Sequence, residues 1–91
     1  MATKTGVEFG KDLIDFIHDA IATNDEPIDA ETDLLLTGTV DSLGVILIVD
    51  WLEEQLDIEI DPADVTLENF LRVSDMLTYL SGRNALATPA D

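Results

Sequence analysis

Ser42 is the residue of this chain best placed for covalent chemistry. It stands in GTVDSLGVILIVDWLEEQ, Gly38 to Gln55, directly behind Asp41 and ahead of an apolar run. A catalytic serine needs a base and an acid that orients the base. His18 is the single histidine, beside Asp19, and at that place it reads most simply as a surface residue. Cysteine is absent, so the chain itself supplies no thiolate and no disulfide. Asp57, Glu59, Asp61 and Glu68 follow the spacing of calcium ligands in an EF-hand loop. Pro62, however, stands where that loop turns on a glycine, and proline cannot take the positive φ required there. Asp64 occupies a position that is normally apolar. Crowded carboxylates of this kind suit loose cation binding better than a built calcium site.

The glycines form no phosphate-cradling loop and no dinucleotide pattern. With no thiol, no metal cage and no paired base, Ser42 reads as an acceptor of a group. A phosphodiester suits the position. The first N–H groups of a helix lack partners, and the helix dipole favours negative charge there by about 0.3–1 kcal/mol. Residue types alone leave open which phosphate-bearing group is attached, or whether one is.

The elements that hold this serine are helical. A first helix is expected over about Thr5–Ala22, with Leu13, Ile14, Ile17, Ala20 and Ile21 at helical spacing. A loop follows over Thr23–Asp33, marked by Asn24, Pro27 and acids. Leu34, Leu35 and Leu36 are expected to plug the core from a short turn, and Gly38 to let the backbone bend. The second helix starts at Asp41 or Ser42 and reaches about Gln55. Asp41 is its N-cap, a feature worth about 0.5–2 kcal/mol. Val45, Ile48, Val49, Leu52 and Leu56 form its core face. Leu43, Ile46 and Leu47 fall on the opposite side among Asp50, Glu53 and Glu54, with Trp51 at the edge. A short helix is expected within Pro62–Asn69 and a last one over about Val73–Leu80, with Val73, Met76, Leu77 and Leu80 facing inward and Gly82 ending it. The fold class is therefore all-α, a small four-helix bundle of three longer helices and one short.

Charge narrows the partners. There are 20 acids against 4 lysines and arginines, a formal net charge of −16. The basic residues are Lys4, Lys11, Arg72 and Arg83, so none lies between Asp12 and Leu71. Such a surface repels nucleic acid and anionic membranes and steers basic proteins toward itself. No membrane-length apolar run and no signal-peptide pattern is present, so the default expectation is a cytosolic monomer.

The stretch around Ser42 resembles the acyl and peptidyl carrier protein family. DSL at Asp41–Leu43 opens an apolar helix that ends in LEEQLDIEID. The preceding ETDLLLTG resembles that family's loop before its modified serine, and VSDMLTYL resembles its last helix. The resemblance covers roughly Val7 to Ser81. It implies a carrier domain over residues 1–82, followed by a flexible tail, 83–91. It also implies that Ser42 carries 4′-phosphopantetheine, placed there by a phosphopantetheinyl transferase, with Asp41 capping the helix beside the attachment site. The thiol missing from the chain would then be imported. Thr39 and Val40 put two residues between Gly38 and DSL, where fatty-acid carriers usually have one. GTVDSLG is in this nearer to free-standing D-alanyl and aminoacyl carriers, loaded by an adenylating ligase. Leu47 also lies where fatty-acid carriers often have an acid.

The implied function is a carrier without enzymatic activity, holding an acyl or aminoacyl group as a thioester. It would hand that group to acyl-transfer or condensing enzymes. Leu43, Ile46, Leu47 and Trp51, fringed by Asp50, Glu53 and Glu54, would be the docking face, the apolar centre giving affinity and the acids steering. The alternatives are a fatty-acid or polyketide carrier, and, of another class, an acidic calcium-binding or adaptor module.

Overall fold

A computed structural model describes residues 6–22, 27–83 and 85. The described chain is all-helical. Helix α1 spans Gly6–Phe16 and runs straight into a π-helical turn, Ile17–Ile21. Helix α2 spans Ser42–Leu56, α3 is the single turn Leu67–Phe70, and α4 spans Val73–Gly82; a 3₁₀ turn, Pro62–Asp64, precedes α3. The expected bundle of three longer helices and one short is what forms. No helix among the described residues is long and apolar enough to cross a membrane.

Each long helix buries a stripe set by its own periodicity. Phe9, Leu13 and Ile17 follow one another at four-residue spacing, as do Gly44, Ile48 and Leu52 on α2. Val73, Met76 and Leu80 do the same job on α4. These stripes close on one another around Phe70, with Leu34, Val40 and Ile60 sealing the core from the connecting loops. Val45, Val49 and Leu56 lie half-buried at the edge of that core, and so does Leu77 on α4.

The loops are shaped by aspartates. Asp33 accepts the Leu36 N–H at 2.9 Å, and the Thr37 hydroxyl donates to the Asp33 carbonyl at 2.7 Å. Gly38 then takes φ of +80°, a left-handed conformation that admits glycine without strain. The Val40 N–H returns to the Leu34 carbonyl at 2.9 Å, closing a compact loop that delivers Asp41 and Ser42 to the surface. Asp61 similarly accepts the Ala63 N–H at 2.9 Å and caps the 3₁₀ turn.

Four expectations change. The first helix ends in a wider π turn instead of continuing as an α-helix to Ala22, and Thr5 lies outside the described residues. Of the three consecutive leucines only Leu34 plugs the core: Leu35 is half-buried and Leu36 is 70% exposed, because the turn held by Asp33 points it outward. The short helix divides into a 3₁₀ turn and α3, with Thr66 capping the latter. Trp51 does not stand on the open side of α2; its indole stacks on Phe16 at 4.7 Å and leans on Phe9 at 5.4 Å. At the start of the expected tail, Arg83 donates to the Glu59 carbonyl and Ala85 is buried. Residues 84 and 86–91 of that tail lie outside the described residues, as do 23–26 of the expected loop.

The π turn brings Ile21 against the start of α2, and Gly44 makes this approach possible. A Cβ built there would lie 2.7 Å from Ile21 Cγ2 and 2.8 Å from Val40 Cγ1. Both neighbours are β-branched and stiff at χ1, and Val40 is fully buried. Gly44→Ala gains about 1 kcal/mol of helix propensity but meets an overpacking cost of about 1–3 kcal/mol. The expected outcome is a net loss of up to about 2 kcal/mol, read as a lower urea midpoint at unchanged slope. A variant more stable than the parent would show that Ile21 and Val40 yield freely.

Candidate phosphopantetheine site

Ser42 is the first residue of α2 and is exposed. Asp41, in extended conformation, places Oδ1 2.9 Å from the Gly44 N–H and accepts from it. Its carbonyl accepts the Val45 N–H at 3.0 Å, which starts the helical ladder. The remaining N–H groups of the first turn, those of Ser42 and Leu43, point out of the helix end beside the Ser42 side chain. The Ser42 hydroxyl makes no hydrogen bond to a described residue.

Beside Ser42 runs an open groove of about 370 Å³. Val45 and Ile46 of α2 form one wall and Leu35 one end; Val65, Thr66, Leu67 and Phe70 form the other wall. Apart from Ser42 and Thr66 the lining is apolar. The serine thus sits where a polar helix end meets an apolar trough.

The His18 Nδ1 lies 3.4 Å from Asp19 Oδ1, a contact between sequence neighbours on an exposed turn, and no hydrogen bond or ion pair among the described residues links His18 to Ser42. Among the described residues no three histidine or carboxylate groups converge to hold a metal ion. Asp61 of the EF-hand-like spacing is committed to the 3₁₀ turn instead.

The residues at the start of α2 fit a phosphate-bearing group. A phosphodiester on the Ser42 oxygen would meet the outward N–H groups of Ser42 and Leu43, and the Asp41 carboxylate beside it is already engaged by Gly44. The exposed hydroxyl needs no rearrangement to receive it.

The family model for the phosphopantetheine attachment site matches residues 11–80. The chain belongs to that family. No curated protein and no solved structure matches it. As a phosphopantetheine-binding domain it is a carrier, and its prosthetic group is 4′-phosphopantetheine. Once bound, that group supplies a terminal thiol on a long arm, able to hold an acyl group as a thioester. Domains of this phosphopantetheine-attachment family are modified by a phosphopantetheinyl transferase, work with biosynthetic enzymes and are generally not themselves catalytic.

On this carrier Leu43 is 64% exposed, Ile46 57% and Leu47 43%, with Asp50 and Glu54 exposed on the same helix. Glu53 differs from them: it is half-buried and its Oε2 accepts the Ile60 N–H at 2.8 Å, tying the chain after α2 back onto the helix. Besides Val7 on α1, which is 84% exposed, two large apolar residues outside α2 are open, Leu36 and Leu67, the latter 50% exposed on the groove wall. Helical periodicity within α2 could not find them, since both lie on other elements. The cue for Leu36 was available in Asp33, three residues earlier, a residue type that turns the backbone through its carboxylate.

Proposed function

We propose that Ser42 carries the 4′-phosphopantetheine and that the chain is a free-standing aminoacyl or short-acyl carrier of the cytosol, loaded by an adenylating ligase. The observation that carries this reading is the exposed hydroxyl at the first residue of α2, next to a helix cap and an apolar groove. In the transferase, Ser42 Oγ attacks the pantetheine-side phosphorus of coenzyme A; the Oγ–P bond forms as the pyrophosphate P–O bond breaks, 3′,5′-adenosine bisphosphate leaves, and the hydroxyl proton passes to a base of the transferase. The N–H groups at the helix end then face the new negative charge.

Two features favour a small cargo. The Thr39–Val40 spacing before DSL is nearer to aminoacyl carriers than to fatty-acid carriers. The groove, about 370 Å³, lies at the low end of the roughly 300–1,000 Å³ of small-molecule sites. Its apolar walls also suit an acyl chain, which supports a fatty-acid or polyketide carrier as the second reading. Intact-mass measurement after co-expression with candidate adenylating ligases tests both. The first reading expects a further gain that matches an amino acid. A gain matching a fatty acyl group supports the second, and absence of any phosphopantetheine adduct on the parent protein removes both.

The docking face is narrower than the sequence suggested. We assign it to Leu43, Ile46 and Leu47 with Asp50 and Glu54 as its acidic fringe, because Trp51 is stacked under α1 and Glu53 holds Ile60. Exposed apolar residues beside acids suit a partner with an apolar centre and a basic rim. Leu47→Glu leaves the core untouched, so its melting temperature should stay close to that of the parent. A lost central contact of about 1.4 kcal/mol slows loading or transfer roughly tenfold at subsaturating partner. Unchanged rates with every partner would remove Leu47 from the interface.

A further inference from the structure

The wall of the groove opposite α2 is gripped from the far side by the last turns of α4. The Tyr79 hydroxyl donates to Asp64 Oδ2 at 2.7 Å. The Asn69 side-chain amide donates to the Asp64 carbonyl at 2.9 Å, fastening the same residue to α3. Arg83 donates to the Glu59 carbonyl at 2.5 Å and lies over the Tyr79 ring at 5.9 Å from its centroid. Burial, followed by the hydrogen bond to Asp64, raises the Tyr79 phenol above its usual pKa of 10.0, so it remains a donor at neutral pH.

The placement of this clasp gives it a consequence. Asp64 is followed at once by Val65, Thr66 and Leu67, which line the groove beside Ser42. At the other end of that wall Phe70 is buried and the Leu71 carbonyl accepts the Leu34 N–H at 2.9 Å. The Phe70 end is therefore anchored by core packing and a backbone bond. The Asp64 end is exposed on its 3₁₀ side, and α4 reaches it through the Tyr79 hydroxyl. Between Ile60 and Phe70, both buried, no residue of this stretch is fully buried, so the wall spans two fixed ends and its approach to α2 depends on side-chain bonds such as that from Tyr79 to Asp64.

We propose that Tyr79 is a positioning residue for the groove: by holding Asp64 it keeps the Val65–Leu67 wall against α2 and so fixes how closely a cargo beside Ser42 is covered. The part about cargo rests on Ser42 being the attachment point; the part about the wall does not.

Tyr79→Phe keeps the ring and its contact with Phe70 and removes only the hydroxyl. In the unmodified protein, amide hydrogen exchange followed by NMR should accelerate at Val65, Thr66, Asn69 and Phe70. These amides are hydrogen-bonded within the wall, and an increase of about tenfold corresponds to the loss of one such side-chain bond. Exchange at Ile48 and Leu52, in the middle of α2, should stay within about twofold of the parent. Asp64→Ala should reproduce the effect. Asp64→Asn retains an acceptor for the phenol and should restore most of the protection. The double variant Tyr79→Phe/Asp64→Ala should go little beyond either single one. Equal acceleration in α2 would mean that Tyr79 serves general stability only, and no acceleration would mean that the clasp holds nothing; either overturns the proposal.

A second arm installs a hexanoyl-bearing arm from hexanoyl-coenzyme A with a transferase and follows thioester cleavage by hydroxylamine. Cleavage should be several-fold faster in Tyr79→Phe than in the parent. Equal rates overturn the claim that the wall covers the cargo. If intact mass places no adduct on the parent, the Ser42 assignment and the cargo claim fail together, while the exchange data still decide the wall.

Discussion

Ser42→Ala is expected to fold like the parent and to gain no phosphopantetheine on incubation with coenzyme A and a transferase. The cap of α2 is Asp41, so the substitution leaves the Gly44 N–H satisfied. The side chain is exposed, and alanine gains a few tenths of a kcal/mol of helix propensity, about 0.5. Stability should therefore stay within about 0.5 kcal/mol, which separates a lost acceptor from a lost fold. The other serines are poor substitutes. Ser74 is half-buried at the start of α4, with its N–H bonded to the Ala30 carbonyl at 2.9 Å. Ser81 stands in the last turn of α4, where the helix dipole disfavours a phosphate. Intact mass checks the result, and an undiminished adduct on the variant would move the attachment point away from α2 altogether.

Much of this arrangement is legible in local sequence because local physics dictates it. The α2 stripe, the cap at Asp41 and the bend at Gly38 each depend on residues within one turn of one another, and each forms as its spacing implies. The features that escape are contacts between distant positions. Trp51 sits on the wheel at the boundary between faces, and only the two aromatic rings of α1, Phe9 and Phe16, decide that it turns inward. Glu53 reads as a surface acid until the chain beyond α2 returns and gives it the Ile60 N–H. Tyr79 and Asp64 are fifteen residues apart on separate elements, and nothing near either announces the pair. Three leucines in a row are ambiguous by nature: a turn can bury one and must point its neighbours elsewhere.

The acid excess also acquires a second meaning. Solubility and steering account for exposed acids such as Asp50 and Glu54. Asp33, Asp41 and Asp61 do something else, each accepting a backbone N–H at a turn or helix start. Asp29 does so as well, taking the Glu31 N–H at 2.8 Å. In a short chain with long loops, a carboxylate is an acceptor that water would otherwise have to provide. Counting charge alone therefore overstates how much of it is left for partners.

The largest stability effect is expected at Phe70. It is the last residue of α3, almost wholly buried, with its ring 6.2 Å from that of Tyr79 and one edge lining the groove beside Ser42. Truncation to alanine removes most of a buried ring and leaves a cavity that α3, a single turn, is too short to collapse around without losing its cap at Thr66. Such changes cost about 3–5 kcal/mol, against a total of about 5–15 kcal/mol for a domain. At about 4 °C or more per kcal/mol in a chain of this size, the melting temperature should fall by at least about 12 °C. Phe70→Leu keeps the site apolar and retains much of its volume, so it should lose clearly less. The contrast is informative for function too. Phe70→Leu should still accept phosphopantetheine at Ser42, since the helix end and its cap are untouched, while the altered groove wall should change how a cargo is shielded. A loss below about 1 kcal/mol for Phe70→Ala would mean that α3 is not packed as described, and the groove beside Ser42 would lose the wall that defines it.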